Sequence, residues 1–282
     1  MTDIANNPLA KHFRQPSLYI KLTSEGKYWK DGALDLPATG EIPVYPMTAK
    51  DEITLRTPDS LLSGSSVVQV LESCCPNIKD AWEMPSVDVD STLISVRIAS
   101  YGDTMTVTAV CPQCSEEHDY DISLQDVLAK IHMPDYSQTV TTDDGLTIKF
   151  RPLTYREISS ASTIEFTEEK LIQSLTDTSV DEALRKIEFG KHIAKMIELN
   201  NENISNCTRS IVADGVDITD KNFIKEYYAN ANAAVSRKVK QKVQEFTDVA
   251  NIQPVNTLCT SCNKEFKLSI DFDYSRFFVS GF

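Results

Sequence analysis

The chain has 282 residues and is 41% apolar, long enough for one large domain or two ordinary ones with ample material for a core. Its net charge of −13 suits it poorly to a phosphate backbone, where binding depends on Lys and Arg releasing counterions; nucleic acid would need a local basic patch. No apolar run approaches about 18 residues, which argues against membrane insertion, and the N-terminal "MTDIANNPLAKHFRQPS" lacks the apolar stretch of a signal peptide. The expected compartment is therefore cytosolic and reducing. There, seven cysteines read as thiols or metal ligands rather than disulfides.

Residues 1–16 are expected to be loosely ordered. "SLYIKLTSEGKYW" reads as a β-hairpin, two β-prone runs around Ser24–Gly26. "GEIPVYPM" is extended, kept from helix by Pro43 and Pro46. Thr48 and Asp51 predict a capping box at the head of a helix over "TAKDEITLR". "SSVVQVLESCC" reads as a short apolar helix. "DVDSTLISVRIASYG" reads as a core helix ending near Gly102.

A first Cys-x-x-Cys follows in "CPQCSEEHDYDISL", between a β-prone run and a partly alternating one. Leu124–Ile131 is a short predicted helix, stopped before Pro134. "TVTTDDGLTIKFRPLT" predicts a hairpin turning at Asp144–Gly145. Thr154 with Glu157, and Ser179 with Glu182, are further capping boxes. The last helix is expected over Asn230–Ala250, with Val235, Val239, Phe246 and Val249 as its apolar stripe. A second Cys-x-x-Cys then appears in "CTSCNKEFKLSIDF".

The two cysteine stretches align at an offset of 148. Val107 matches Val255, Glu117 matches Glu265 and Ile122 matches Ile270. Each reads as strand, tight turn, strand, with the thiols at the turn. A two-residue spacer lets both sulfurs reach one metal, and two such turns complete a tetrahedral four-sulfur site from Cys111, Cys114, Cys259 and Cys262. The expected ion is structural Zn2+. A rubredoxin-like iron site and four ordinary thiols are the alternatives. His118 could replace a ligand, but four cysteines suffice, so it reads as a solvated strand residue. Cys74, Cys75 and Cys207 lack partners at metal spacing and read as core or surface thiols.

The fold expected is α+β: a mainly helical body with an N-terminal β-hairpin and a discontinuous zinc ribbon formed by the two knuckles. Residues 1–105 would hold the hairpin and a helical domain. Residues 106–124 and 250–282 would form the ribbon, and 125–249 a mainly helical insert. The knuckles then meet across the 144 residues between Cys114 and Cys259, so the metal staples distant parts of the chain.

Charge weighs against the nucleic-acid role of many zinc ribbons. The first knuckle and its following strand carry Glu116, Glu117, Asp119 and Asp121 with no Lys or Arg, and the second mixes Lys264 and Lys267 with Glu265 and Asp271. Arg237, Lys238, Lys240 and Lys242 crowd the last helix, either as a solvated face or as a patch for an acidic protein. Five aromatics, among them Phe277, Phe278 and Phe282, fall in the last eleven residues. They either fold back on the ribbon's own strand or dock a neighbouring subunit. No HExxH, GxGxxG, P-loop or GxSxG occurs, so no enzyme is expected and no small-molecule substrate is implied.

The ordered series "LTSEGKYW", "GEIPVYPMTAKDEITLRTPDSLLSG", "CCPNIKD", "DVDSTLISVRIASYG" and "VCPQC" resembles the baseplate hub family of T4-like, contractile-tailed bacteriophages. The resemblance runs over about Leu18–Leu124 and is most specific over Val44–Gly64. Thr23 stands where the family usually has proline. The resemblance implies a structural or assembly component of the tail baseplate hub, or a chaperone of the tape-measure protein. Its partners would be other hub or tape-measure proteins. It would act in the host cytoplasm during assembly or in the virion tail baseplate. The resemblance brings no catalytic residue. A zinc-ribbon nucleic-acid-binding regulator is the competing reading.

Overall fold

The computed structural model describes residues 7–57, 63–175, 182–270 and 277–278. The architecture is α+β. Among the described residues, no helix is long and apolar enough to cross a membrane.

The first unit is built on a buried helix. α1 (Ala49–Leu55) opens with the expected capping box: Thr48 Oγ1 accepts from Asp51 N while Asp51 Oδ2 accepts from Thr48 N at 2.7 Å. α2 (Ser65–Cys74) buries Val67, Val70 and Leu71. α3 (Ser86–Tyr101) is buried nearly all round and stops at Gly102, whose φ of 91° only glycine adopts readily. A helix so enclosed must satisfy its own polar side chains. Thr92 Oγ1 donates to Asp88 O, Ser95 Oγ to Ser91 O and Ser100 Oγ to Val96 O, each at 2.7 Å.

β1 (Leu18–Lys21) pairs antiparallel with β2 (Glu41–Val44), Leu18 opposite Val44. This corrects the local hairpin expected around Ser24–Gly26: "EIPV", not "KYW", is the partner of "LYIK". The physical reason is Asp88 on α3. Its buried carboxylate accepts from Ser24 N at 2.7 Å, Ser24 Oγ at 2.5 Å and Trp29 Nε1 at 2.9 Å. An enclosed carboxylate needs such donors, and they pull residues 24–29 onto α3 instead of into a strand. Left-handed Glu25, Gly26 and Tyr28 curl the segment.

β3 (Thr104–Val110) and β4 (Glu117–Ser123) form one hairpin, and β9 (Val255–Leu258) and β10 (Glu265–Leu268) another. They share the core of the first unit. Tyr120, Ile122 and Leu268 are buried with Ile42, Leu71, Leu93 and Ile94, and Val107, Val255 and Phe266 pack against that cluster. α4 (Leu124–Leu128), the front of the helix expected to Ile131, follows β4 with Ser123 as its cap.

The segment between the hairpins is mainly helical, as expected, and besides the expected β-hairpin it holds a second one not foreseen from the sequence. It contains a four-stranded antiparallel sheet of β5 (Thr139–Thr141), β6 (Thr147–Phe150), β7 (Thr208–Ala213) and β8 (Val216–Ile218), in that spatial order. α5 (Tyr155–Leu175) and α6 (Glu182–Cys207) form a helical hairpin between β6 and β7. α7 (Lys221–Asn230) and α8 (Ala233–Ala250) close the unit. The Thr154–Glu157 box is present, with Thr154 N donating to Glu157 Oε2 at 2.9 Å. Ser179 of the other expected box lies outside the described residues. A second core joins Ile148, Phe150, Ile204, Ile211, Ile224, Tyr228, Val239 and Phe246. Val249 faces out at 47% exposure, and Val243 packs on the core in the place expected for it.

Candidate metal centre

The two hairpins present their turns to each other in matching conformations. In the first, Cys111 N donates to Glu116 O and Ser115 N to Cys111 O, both at 2.9 Å. In the second, Cys259 N donates to Lys264 O at 3.0 Å and Asn263 N to Cys259 O at 2.9 Å. Ser115 and Asn263 both take left-handed φ values, 60° and 54°. The offset of 148 seen in the sequence is thus carried through to backbone bonds and dihedrals. Each knuckle is a short, tightly bonded loop that turns two thiols to one side.

The ligand atoms of Cys111, Cys114, Cys259 and Cys262 lie within 4.8 Å of one another. Cys111 Sγ is 3.8 Å from Cys262 Sγ, and Cys114 Sγ is 3.6 Å from Cys259 Sγ. A disulfide requires about 2.05 Å, so these are four separate sulfurs. Ligands at about 2.3 Å from a tetrahedral ion stand about 3.8 Å apart along the tetrahedron's edges. The 3.8 and 3.6 Å spacings match that figure, and the thiol donors suit a soft or borderline cation. Cys111 and Cys259 are buried and Cys114 and Cys262 half-buried, so the site is partly screened from water.

Local dipoles favour the charged form of one ligand. Backbone N–H groups, that of Cys262 foremost and then that of Ser261, with the Cys114 and Cys262 thiols, outweigh desolvation and lower the pKa of the Cys259 thiol, while those of Cys114 and Cys262 are raised. Gln113 N points at Cys111 Sγ from 3.4 Å. Two contacts outside the cysteines join the knuckles. His118 Nε2 lies 2.7 Å from Ser261 Oγ, and the Tyr120 and Phe266 rings meet edge to face at 5.5 Å. His118 is thus half-buried against the opposite knuckle, where a solvated residue was expected. Ser261 was not singled out from the sequence, although it sits inside "CTSC". The three remaining cysteines are all buried; burial pushes the Cys74 and Cys207 thiols up to about 12.

The other residues singled out are dispersed. Arg237, Lys238 and Lys240 are exposed on α8 and Lys242 is half-buried. Lys238 Nζ pairs with Asp143 at 2.7 Å, and Lys242 Nζ reaches Glu245 at 2.6 Å and Gln138 at 3.0 Å. Half of the basic cluster is therefore engaged within the chain. Phe277 and Phe278 are 4% and 5% exposed and pack in the first core, the Phe277 ring 5.2 Å from the Arg97 guanidinium. Phe282 lies outside the described residues.

A family model described as "T4 bacteriophage base plate protein" matches residues 30–279. No curated protein and no solved structure matches the chain.

Proposed function

The chain belongs to the family of T4 bacteriophage base plate proteins. From that premise we propose that it is a structural or assembly component of the tail baseplate hub, acting through protein–protein contacts and braced by one structural zinc ion. The observation that carries the zinc assignment is the four-thiol cluster at tetrahedral-edge spacing. Four protein ligands leave no open position for a substrate, so the ion would hold shape rather than perform chemistry.

The family match supports the baseplate setting, and the cluster supports a chain built to stay rigid while it touches neighbours. The partners proposed are other hub or tape-measure proteins, with exposed Arg237 and Lys240 available to an acidic surface. In this reading the protein works in the host cytoplasm during assembly and is either kept in the virion tail or released as a tape-measure chaperone. Acidic Glu116, Glu117, Asp119 and Asp121 around the first knuckle weigh against the nucleic-acid regulator.

Two measurements test this. Metal analysis of protein purified without added zinc should give about one zinc per chain; iron or no metal would overturn the assignment. Mass spectrometry of purified virions against infected-cell lysate should find the chain in tails or in tail-assembly intermediates. Its absence from both, or a salt-sensitive gel shift with nucleic acid, would favour the regulator.

A further inference from the structure

Over residues 187–197, α6 carries an apolar stripe outward. The side that packs toward α5 is mixed: Arg185, Glu188, His192, Lys195 and Met196 are half-buried there and Leu199 is buried, and His192 Nδ1 lies 2.9 Å from Glu168 Oε2 of α5. The opposite side holds Ile187, Gly190, Ile193, Ala194 and Ile197. All are exposed, the three isoleucines at 56%, 45% and 57%. A surface helix ordinarily does the reverse, since burial of its apolar stripe is what stabilises it. Gly190 sharpens the point. Glycine inside a helix is unfavourable relative to alanine, and a Cβ placed there would meet nothing within 4 Å. The chain's own packing gives no reason for it.

The stripe has an internal order. Ile187, Gly190, Ala194 and Ile197 follow steps of three, four and three, the seam of a coiled helix pair. The steps read the same in both directions, with large residues at the ends and small ones in the middle. A second copy laid antiparallel would set each Ile187 against the partner's Ile197, and each Gly190 against the partner's Ala194. A parallel copy would set glycine against glycine and leave a gap. Charge points the same way. α6 carries four basic residues (Arg185, Lys186, Lys191, Lys195) and four acidic ones (Glu182, Glu188, Glu198, Glu202), so it is neutral in a chain of net charge −13. Like copies repel over most of an acidic surface; on this helix they do not.

We propose that the exposed face of α6 is a self-association surface, on which two copies of this chain pair antiparallel about a two-fold axis that crosses the seam between Gly190 and Ala194. The pairing is isologous: the same face serves both copies. It is independent of the hub reading and of the metal.

Sedimentation equilibrium on the full chain tests it. The expected result is a monomer–dimer equilibrium reaching twice the 31.5 kDa chain mass. Ile187→Lys alone and Ile197→Glu alone should each weaken the dimer about tenfold or more, a change worth at least about 1.4 kcal/mol. Both sites are exposed, so helical circular dichroism should not change. An equimolar mixture of the two variants should recover dimer, because the antiparallel pair sets the new lysine against the new glutamate and keeps the other Ile187–Ile197 contact native. A monomer at every concentration overturns the proposal, as does a dimer indifferent to both substitutions. Failure of the mixture to recover overturns the antiparallel pairing.

Discussion

His118 Nε2 and Ser261 Oγ meet at 2.7 Å across the two knuckles, 143 positions apart in the chain. This bond joins the hairpins outside the sulfur cluster. It should show as a pairwise coupling. A double-mutant cycle with His118→Ala and Ser261→Ala, read by urea denaturation of the metal-loaded protein, should give about 0.5–1.5 kcal/mol. Strict additivity would show that the contact contributes nothing.

Cys259→Ser removes one of the buried ligands. Metal content should fall from about one ion per chain to well below that, and the thermal midpoint should drop by about 5 °C or more. A strong chelator should lower the parent's midpoint in the same way and leave the variant's nearly unchanged. Much of the helical signal should survive, because the second core of Ile148, Phe150, Val239 and Phe246 does not include the ribbon. Equal midpoints for parent and variant would sink the stapling role.

Glu157 sets an acid limit on stability. Burial alone would raise its pKa, but Arg151, the Thr154 N–H and Lys221 outweigh burial and hold it below the usual carboxylate value. A carboxylate depressed in the folded state stabilises it above the unfolded pKa of about 4.3, and that contribution fades as pH falls through the folded value. Glu157→Gln should therefore cost about 1–3 kcal/mol at neutral pH. The gap between variant and parent should close on acidification below about pH 4.3. A gap that ignores pH would mean that the charge is irrelevant.

Phe277 and Phe278 separate core from docking tail. Both are buried in the first core, so Phe277→Ala should destabilise the fold by about 3–5 kcal/mol. Deleting Phe277–Phe282 should cost at least as much and loosen metal retention. A deletion that stays soluble, keeps its metal and melts like the parent, yet fails in tail assembly, would assign the segment to a neighbouring subunit instead.

Local signals in the sequence foretold local structure. The boxes at Thr48–Asp51 and Thr154–Glu157 and the turn at Asp144–Gly145 are bonded as their residue types require. The knuckles were legible because their spacing repeats, and the repeat extends to Val107 and Val255, which pack on the same core. Partner choice at long range was not legible. Nothing near "LYIK" reveals that "EIPV" will pair with it, because the decision rests with Asp88, 67 positions after Lys21. The β7–β8 hairpin did carry a readable sign. Asp214–Gly215, with φ of 50° and 80°, is a turn of the kind expected at Asp144–Gly145, but it follows directly on a long helix. The outward apolar stripe of α6 was masked for a different reason: periodicity marks an apolar face without saying which way it points.

The 148-residue offset between the knuckles also sets a timetable for synthesis. At about 5–20 residues per second, the ribosome delivers Cys259 about 7–30 s after Cys111. Throughout that interval Cys111 and Cys114 have emerged as half a site, with two thiols and no partner knuckle. A newly made chain therefore passes through a stage at which it is most open to oxidation and to mispairing with another nascent chain's first knuckle. The pair is safe only once the chain has been made through Cys262.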